Sequence, residues 1–551
     1  MAKNTNSGIG GALLKIFRLL SLDRQDITAV YIFSIFAGAV ALSLPLGIQT
    51  IIGFVQAGSL STSIVILIIL VLIGTFITGL LQVRQLELIE KIEQKLYVRY
   101  ALDYAQRIPK LDIIKLDDYF LPELINRFFD APNLQKSLHK LLVDIPTALI
   151  QIIFSIILLS FYHPFFIAFG FSLLFVIFLI IRFTSNRGFE TSIETSDYKY
   201  KTAAWLEELS RGIKTFKYGR HTTLHMNKMD KILANYLTAR TSHFSILKFQ
   251  YWTMIVFKLV IIGSMLSLGV YLLLGQQLNI GQFVAIDIVI LNILSSAEKL
   301  IVNLDSMYEA LTSVEKLDKV SKAAVEESGQ QELSSNSEGL HIILDKVSFA
   351  YPNEKPCIQN LSFEAKPGEW LLLYGDSGSG KSTVFRLLTA AVKSSGGNIL
   401  IDGLPIENYD SFSLRKQMGI LLGNQNIFEG SLRENLTLDD KEIKSEQILK
   451  MARLTGLIAE IQKNKEGLEQ LIEPFGRKLT ASKRHQILLT RALLQQNRVM
   501  LMENPFDFLS HEQAEDLVTY LKSTQSTIII ASRDKSYEVY CQQCIELEPY
   551  V

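Results

Sequence analysis

The chain has 551 residues, which is long for one domain, so two or more domains are expected. Hydrophobic residues make up 48% of the sequence and charged residues 20%, and the apolar residues concentrate in the first half. Lys plus Arg and Asp plus Glu both count 55, so no excess of positive charge indicates a nucleic-acid partner. The three cysteines, Cys357, Cys541 and Cys544, provide no disulfide framework.

The first apolar segment predicts an amphipathic helix rather than a cleaved signal peptide. Charged residues such as Lys15 and Arg18 interrupt the segment, whereas Leu14 and Phe17 share one helical face with other apolar residues. Residues 1–26 are therefore expected to form a helix that lies on the inner surface of a membrane.

Residues 27–320 predict six membrane spans in three hairpins. The stretch between Asp26 and Arg84 contains no charged residue, and about 20 residues are enough for one crossing. Similar apolar stretches run from Ile145 to Ile181 and from Tyr251 to Ser296, each broken by a polar turn. The fold class expected for this half is an α-helical six-span membrane domain.

The long connections between the hairpins carry many basic residues: Arg99, Arg107, Lys110, Arg127, Arg182, Arg187, Lys199 and Lys201. The positive-inside rule therefore places these connections and both termini in the cytoplasm. Arg84 to Ile108 predicts a helical extension of the second span, about 68 Å in all at roughly 1.5 Å per residue. Lys201 to Thr241 and Ser296 to Val320 predict further helical extensions.

Two ionisable residues lie inside the predicted spans. Lys258 is near the inner end of the fifth span, where a lysine side chain can reach the interface. Asp287 lies about 12 Å below the outer turn, and a carboxylate there should face water or a partner. Asp287 is a candidate for the transport pathway, or it makes a helix-packing hydrogen bond, for example to the partner's Asn292.

Residues 321–339 are polar and predict a flexible linker, and residues 340–551 alternate short apolar runs with amphipathic helices, as α/β domains do. After the strand-like Trp370 to Tyr374, eight residues match the pattern GxxxxGK[ST], and a helical segment starts at Thr383. The eight are Gly375, Asp376, Ser377, Gly378, Ser379, Gly380, Lys381 and Ser382.

This context predicts a phosphate-binding loop rather than a glycine-rich turn with a solvated lysine. Glycines let backbone N–H groups surround phosphate oxygens, and the helix N-terminus adds partial positive charge. Lys381 can then bridge the β- and γ-phosphates, and the Ser382 hydroxyl can ligate Mg²⁺.

These motifs, with residues 396–403 and 414–435, resemble the ABC exporter family, particularly its type I secretion and bacteriocin-export members. The resemblance implies a type I exporter-like membrane domain followed by an α/β P-loop NTPase domain with a helical subdomain. It also implies that ATP and Mg²⁺ bind, with Tyr351 stacked on the adenine and Thr383 beside the phosphates. A second half-transporter chain is the expected partner.

Several positions depart from the family pattern. The Q-loop glutamine is replaced by Gly423, although Gln425 lies two residues on, and the signature LSGGQ reads Leu479, Thr480, Ala481, Ser482, Lys483. The acidic pair that ends the Walker B strand reads Glu503, Asn504, and the switch histidine is replaced by Ser532. Glu503 keeps a carboxylate for Mg²⁺, whereas Asn504 and Ser532 cannot supply a general base or an imidazole.

The sequence therefore predicts the hydrolytically impaired half of a heterodimeric exporter in the inner membrane. Two alternatives remain, which are a non-hydrolytic, ATP-gated regulator or channel-like protein, and a homodimeric, slowly hydrolysing exporter. Membrane lipids and a second chain are the expected partners, and the sequence does not identify the exported substrate.

Overall fold

The computed structural model describes residues 9–58, 62–112, 114–115, 121–219, 222–334, 338–352, 354–495 and 497–548. The chain divides into two compact units, one formed by Met1–Pro109 with Asp118–Ala323 and the other by Lys110–Asp117 with Ala324–Val551. Residues 1–8 of the expected surface helix and residues 335–337 of the expected linker lie outside the described residues.

The first unit is entirely helical over its described residues, and six of its helical segments are long and apolar enough to cross a membrane. This confirms the predicted fold class. The helices are α1 (Ile9–Leu20), α2 (Arg24–Ala41), α3 (Ser43–Gln56), α4 (Thr62–Arg107), α5 (Leu121–Asn126), α6 (Asp130–His139), α7 (Ile145–Ser160), α8 (Phe165–Arg211), α9 (Ile213–Tyr218), α10 (Leu224–Leu274), α11 (Ile280–Val302) and α12 (Leu304–Ser321).

Helix α1 divides its residues between two environments. Ala12 and Ile16 are buried, and the Lys15 ammonium lies 2.5 Å from the carboxylate of Glu315 on α12. Leu14 and Phe17 remain exposed on the other side, at 70% and 67%. The exposed side is therefore the one that would contact lipid head groups.

The helical extension after the second span is confirmed, because α4 runs without a break for 46 residues. The prediction of continuous helix from Lys201 to Thr241 is wrong. Helix α8 ends at Arg211, and after the short α9 the chain reverses into α10, which packs back against α8. Gly219 permits the turn, because a Cβ there would lie 2.8 Å from the carbonyl oxygen of Thr215. A smaller break at Asn303 separates α11 from α12.

The second unit combines two main sheets with a group of helices. One sheet has the order β2-β1-β4-β5, the other the order β11-β3-β10-β9-β6, and β7 pairs with β8. The strands are β1 (Ile342–Ala350), β2 (Pro356–Ala365), β3 (Trp370–Tyr374), β4 (Gly396–Ile401), β5 (Leu404–Pro405), β6 (Met418–Leu421), β7 (Gly430–Ser431), β8 (Leu471–Ile472), β9 (Val499–Glu503), β10 (Thr527–Ser532) and β11 (Gln543–Glu546). The helices are α13 (Lys381–Leu388), α14 (Ser411–Lys416), α15 (Leu432–Thr437), α16 (Ser445–Leu454), α17 (Ile458–Lys463), α18 (Ala481–Leu494) and α19 (His511–Ser523).

The central strands of the five-stranded sheet are parallel and covered on both faces, which explains their unbroken apolar sequences. All six residues of β10 are buried. A separate apolar cluster joins α15, α16, α17 and the start of α18, with Leu432, Ile448, Leu457 and Ile487 at its centre. This cluster forms the helical subdomain, so the α/β fold class of the second unit is also confirmed.

The residues that precede β1 are held against the second unit, where the sequence predicts a flexible linker. The backbone N–H of Gln331 donates to the carbonyl of Asn408 at 3.0 Å, and the Leu333 side chain enters the core of the unit. The buried Arg498 donates to the carbonyls of Ser334, Glu338 and Gly339 and to the carboxylate of Asp402. Long-range hydrogen bonds therefore hold the described residues of this polar segment in place.

Replacing Arg498 by Met should lower the free energy of unfolding of this unit by about 3 kcal/mol, because four buried or half-buried acceptors lose their donor. Hydrogen exchange of β1 in the full chain measures this loss. Arg433→Met is the matched control, since its ion pair with Glu469 is solvent-exposed and contributes less than about 1 kcal/mol. If the amides of β1 were equally protected from hydrogen exchange in the two variants, the hydrogen bonds of Arg498 would not stabilise this unit.

Candidate nucleotide-binding site

Four neighbouring strands place the candidate residues at one edge of the sheet. Strands β3, β10, β9 and β6 are adjacent and parallel, so their carboxyl ends lie side by side. The glycine-rich loop follows β3, and Ser532 ends β10. Glu503 ends β9, and Gly423 follows β6 by two residues. In open α/β sheets, ligands bind at this edge.

The glycine-rich loop takes backbone conformations that glycine alone adopts without strain. Gly375, Gly378 and Gly380 have φ values of 155°, 86° and 90°. A Cβ on Gly375 would lie 2.3 Å from the carbonyl oxygen of Leu547, and one on Gly380 would lie 2.9 Å from that of Cys357. Between these glycines, Asp376 and Ser377 carry the chain into a turn in which the N–H of Ser379 donates to the Asp376 carbonyl.

The side chain of Lys381 lies within the curve of this loop. Its ammonium donates to the carbonyls of Gly375 and Asp376 at 2.5 and 2.6 Å and to the Ser379 hydroxyl at 3.1 Å. Burial lowers the pKa of Lys381, and the positive charge of Arg533 lowers it further. The Ser382 side chain is exposed in the first turn of α13, beside the loop.

The side chain of Tyr351 packs against α13, the helix that follows the glycine-rich loop. Its hydroxyl accepts a hydrogen bond from Arg386 at 2.6 Å and lies 3.3 Å from the Thr383 hydroxyl. The ring of Phe349 contacts the tyrosine ring edge-on, with 5.0 Å between centroids. The tyrosine ring is thus fixed near the phosphate loop. Sequence reasoning missed Arg386, because no local pattern indicates its contact with a residue on another element.

The carboxylate of Glu503 has one oxygen in use and one without a partner. Its Oε2 accepts the backbone N–H of Gly423 at 2.7 Å, while Oε1 is buried with no hydrogen-bond partner among the described residues. A buried unpaired carboxylate oxygen beside a phosphate-binding loop fits a hard cation such as Mg²⁺. Gln425 turns instead to its own loop, where its amide oxygen accepts the N–H of Leu422 at 3.2 Å.

The side chains of Asn504 and Ser532 are hydrogen-bonded to each other. The Ser532 hydroxyl donates to the Asn504 amide oxygen at 2.8 Å and accepts the N–H of Asp534 at 3.0 Å. Asn504 has a φ of 43°, and its own N–H donates to the carbonyl of Ala531. The structure therefore brings these two predicted site residues together, in an uncharged contact.

The signature-like residues lie at the start of α18. The Thr480 hydroxyl caps this helix by accepting the N–H of Lys483, and the Lys483 ammonium pairs with Glu460. Ala481, Gly423 and Glu503 line a common cavity of about 300 Å³. Arg484 and His485 also line it, and sequence reasoning had not singled them out. Leu479 and Ser482 do not line this cavity.

In the membrane unit, Asp287 is exposed on α11 and makes no hydrogen bond or ion pair with the other described residues. Lys258 does more than extend toward the interface, because its ammonium lies 3.1 Å from the carboxylate of Glu298. Sequence reasoning missed Glu298, since the predicted span ended before it. Glu298 follows the end of the apolar stretch, and nothing in the sequence around it indicates that Lys258 is its partner.

Comparison with known proteins gives a consistent result for both units. The family described as ABC transporter transmembrane region matches residues 27–297, and the family described as ABC transporter matches residues 358–507. The second match implies that this unit binds ATP. Together the two matched regions cover more than half of the chain.

Among curated relatives, the cyclolysin secretion/processing ATP-binding protein CyaB of Bordetella pertussis is 27% identical over 334 residues, 60% of this chain and 47% of that protein. The ATP-dependent lipid A-core flippase of Shewanella denitrificans is 32% identical over 204 residues, 36% of this chain and 34% of that protein. The chain thus spans half or less of the length of these relatives.

A solved structure described as a bacterial Atm1-family ABC exporter with ATP bound has the same fold. Its TM-score is 0.82 at 17% identity, over 95% of this chain and 93% of that one.

Replacing Lys381 by Ala should weaken ATP binding at least about tenfold, because a charge-assisted contact to phosphate contributes about 1.5–3 kcal/mol. Displacement of a fluorescent ATP analogue from the full chain measures the affinity. Lys393→Ala is the control, since this exposed lysine lies outside the loop. An unchanged affinity in Lys381→Ala would show that ATP does not bind at this loop.

Proposed function

Because the chain belongs to the ABC transporter family, we propose that it is one half of an exporter, which binds ATP and pairs with a second half-transporter chain to move a substrate across the inner membrane. The six apolar helices and the phosphate loop support this proposal. The basic connections between the spans favour an orientation with both termini and the nucleotide-binding unit in the cytoplasm.

In this proposal the edge of the five-stranded sheet holds ATP with Mg²⁺. Tyr351 stacks on the adenine, while Lys381 and the N–H groups of residues 376–383 contact the β- and γ-phosphates. Ser382 and Glu503 hold Mg²⁺, which supplies positive charge to the phosphate oxygens when it is bound. The unpaired Oε1 of Glu503 supports this assignment.

The same site hydrolyses ATP poorly or not at all, and the contact between Asn504 and Ser532 carries this part of the proposal. An amide does not accept a proton from water at neutral pH, and a positioned general base contributes about 10²- to 10⁴-fold to such reactions. The serine hydroxyl is uncharged, and its one proton is already donated to the amide oxygen, so it does not replace the imidazole contact to the γ-phosphate. The site is therefore one that holds ATP.

A heterodimer follows from the altered signature. In this family, each nucleotide-binding domain lends its signature to the site of the other. Ala481 and Ser482 carry Cβ atoms where the family has glycines, so the backbone cannot approach phosphate as closely. A homodimer would contain two sites that lack the general base, the imidazole and the intact signature. A competent partner chain would lend an intact signature to this chain's site, and its own site would keep the base and the imidazole while receiving the altered signature.

The names of two relatives indicate different kinds of substrate. One relative is named for the secretion and processing of cyclolysin and another for flipping the lipid A core, and these cargoes differ in size and chemistry. The sequence similarity to both is confined to part of each relative.

The proposal predicts that the purified full chain binds ATP but turns it over very slowly. Restoring the family residues together, by Asn504→Glu, Ser532→His, Ala481→Gly and Ser482→Gly, should raise turnover about 10²-fold or more, because the general base, imidazole and signature backbone return. Phosphate release measures the rate. Adding Lys381→Ala to the restored variant is the control, and it should abolish the gain.

Fast turnover by the unaltered chain alone, lost on Lys381→Ala, would instead assign a homodimeric hydrolysing exporter. ATP binding together with ion conductance in planar bilayers, in the absence of any second chain, would assign the ATP-gated, channel-like alternative. Co-purification of a second ABC chain from the native host supports the heterodimer.

A further inference from the structure

Helix α11 has a polar face that the chain itself does not cover. Asp287, Leu291 and Ser295 are exposed, and Glu298 is 37% exposed. Their spacings of four, four and three residues place them on one side of the helix. The opposite side carries the buried core residues Ala285, Val289, Ile293 and Ala297. This side of α11, from Asp287 to Glu298, is called the polar face below.

The polar face lies at membrane depth. Helix α11 begins at Ile280, so Asp287 lies about 10 Å and Glu298 about 27 Å along it, at roughly 1.5 Å per residue. The hydrocarbon core is about 30 Å thick, and a charged side chain facing lipid near its centre costs about 2.5–3.5 kcal/mol or more. The polar face therefore borders water or a polar partner rather than acyl chains.

One of the two carboxylates is already neutralised. Glu298 lies 3.1 Å from the Lys258 ammonium and accepts a hydrogen bond from the Tyr251 hydroxyl at 3.3 Å. Asp287 has no such cation among the described residues. Within the apolar stretches 27–83, 145–181 and 249–297, Lys258 is the sole lysine or arginine. Because that lysine is engaged, the polar face retains an uncompensated negative charge at Asp287.

We propose that Asp287 is the cation-binding point of the transport pathway, so that the exported substrate carries a positive charge on an apolar body. This inference rests on the proposed export function and adds the substrate class to it. The charge of the polar face selects the cation, while Leu291 and the apolar residues of the neighbouring spans contact the rest of the molecule. The Lys258–Glu298 pair lies toward the inner end, where the carboxylate of Glu298 neutralises the charge of Lys258.

The test uses two probes of nearly equal shape and opposite charge, tetraphenylphosphonium and tetraphenylborate. Equilibrium dialysis measures their binding to the full chain in phosphatidylcholine nanodiscs, with protein-free nanodiscs subtracted. The unaltered chain should prefer the cation. Asp287→Asn should weaken tetraphenylphosphonium binding about tenfold, the change that corresponds to 1.4 kcal/mol. Asp287→Glu should retain the binding, because it keeps the charge.

Two further variants sharpen the test. Lys258→Met should strengthen binding of the cation and weaken that of the anion, because it frees the carboxylate of Glu298. Asp230→Asn, an exposed carboxylate near the start of α10, is the matched control and should change neither affinity. Unchanged ATP affinity in Asp287→Asn shows that the variant is folded.

Equal binding of the two probes, no binding of either, or an unchanged cation affinity in Asp287→Asn would overturn the inference. A loss of dimer on size-exclusion chromatography in place of a loss of cation affinity would assign Asp287 to helix packing, and would also overturn it. ATP binding is measured on the same samples. Cation binding that depends on Asp287 in a chain that binds no ATP would leave this site in place and refute the proposed function.

Discussion

The parallel pairing of β3, β10, β9 and β6 is the constraint on which the nucleotide-binding unit depends. Each strand is buried on both faces, so apolar residues fill its length and polar chemistry is confined to its ends. Parallel pairing brings those ends to one edge, and four separate sequence segments meet there. The phosphate loop, the Glu503 carboxylate and the Asn504–Ser532 contact are neighbours for this reason alone.

The elements with local signals were predictable from the sequence. Apolar stretches of sufficient length indicated the six membrane helices, and GxxxxGK[ST] between a strand and a helix indicated the phosphate loop. The reversal after Arg211 was not predictable in this way, because the residues on both sides have helical character and only tertiary packing of α10 on α8 reveals the turn. The ordered residues before β1 escaped prediction because their stabilising contacts are distant, above all Arg498.

The pairing of polar side chains was the least predictable property. Lys258 and Glu298 are 40 residues apart, and Ser532 and Asn504 are 28 apart, so no periodicity links them. The residue types themselves are given by the sequence, and they show, for example, that positions 504 and 532 hold no general base or imidazole. Which neighbour satisfies each group depended on the register of strands and helices. The sequence therefore identifies the residues of each site, and the structure shows which of their polar and charged groups are paired.

The attachment of Tyr351 to α13 has a consequence for ligand recognition. Its hydroxyl is held by Arg386 and Thr383, which belong to the helix whose first turn closes the phosphate loop. The tyrosine ring and the phosphate loop are thus preorganised relative to each other. Under the proposed function, in which Tyr351 stacks on the adenine, little conformational entropy would be lost when the base and the phosphates of one ligand bind together.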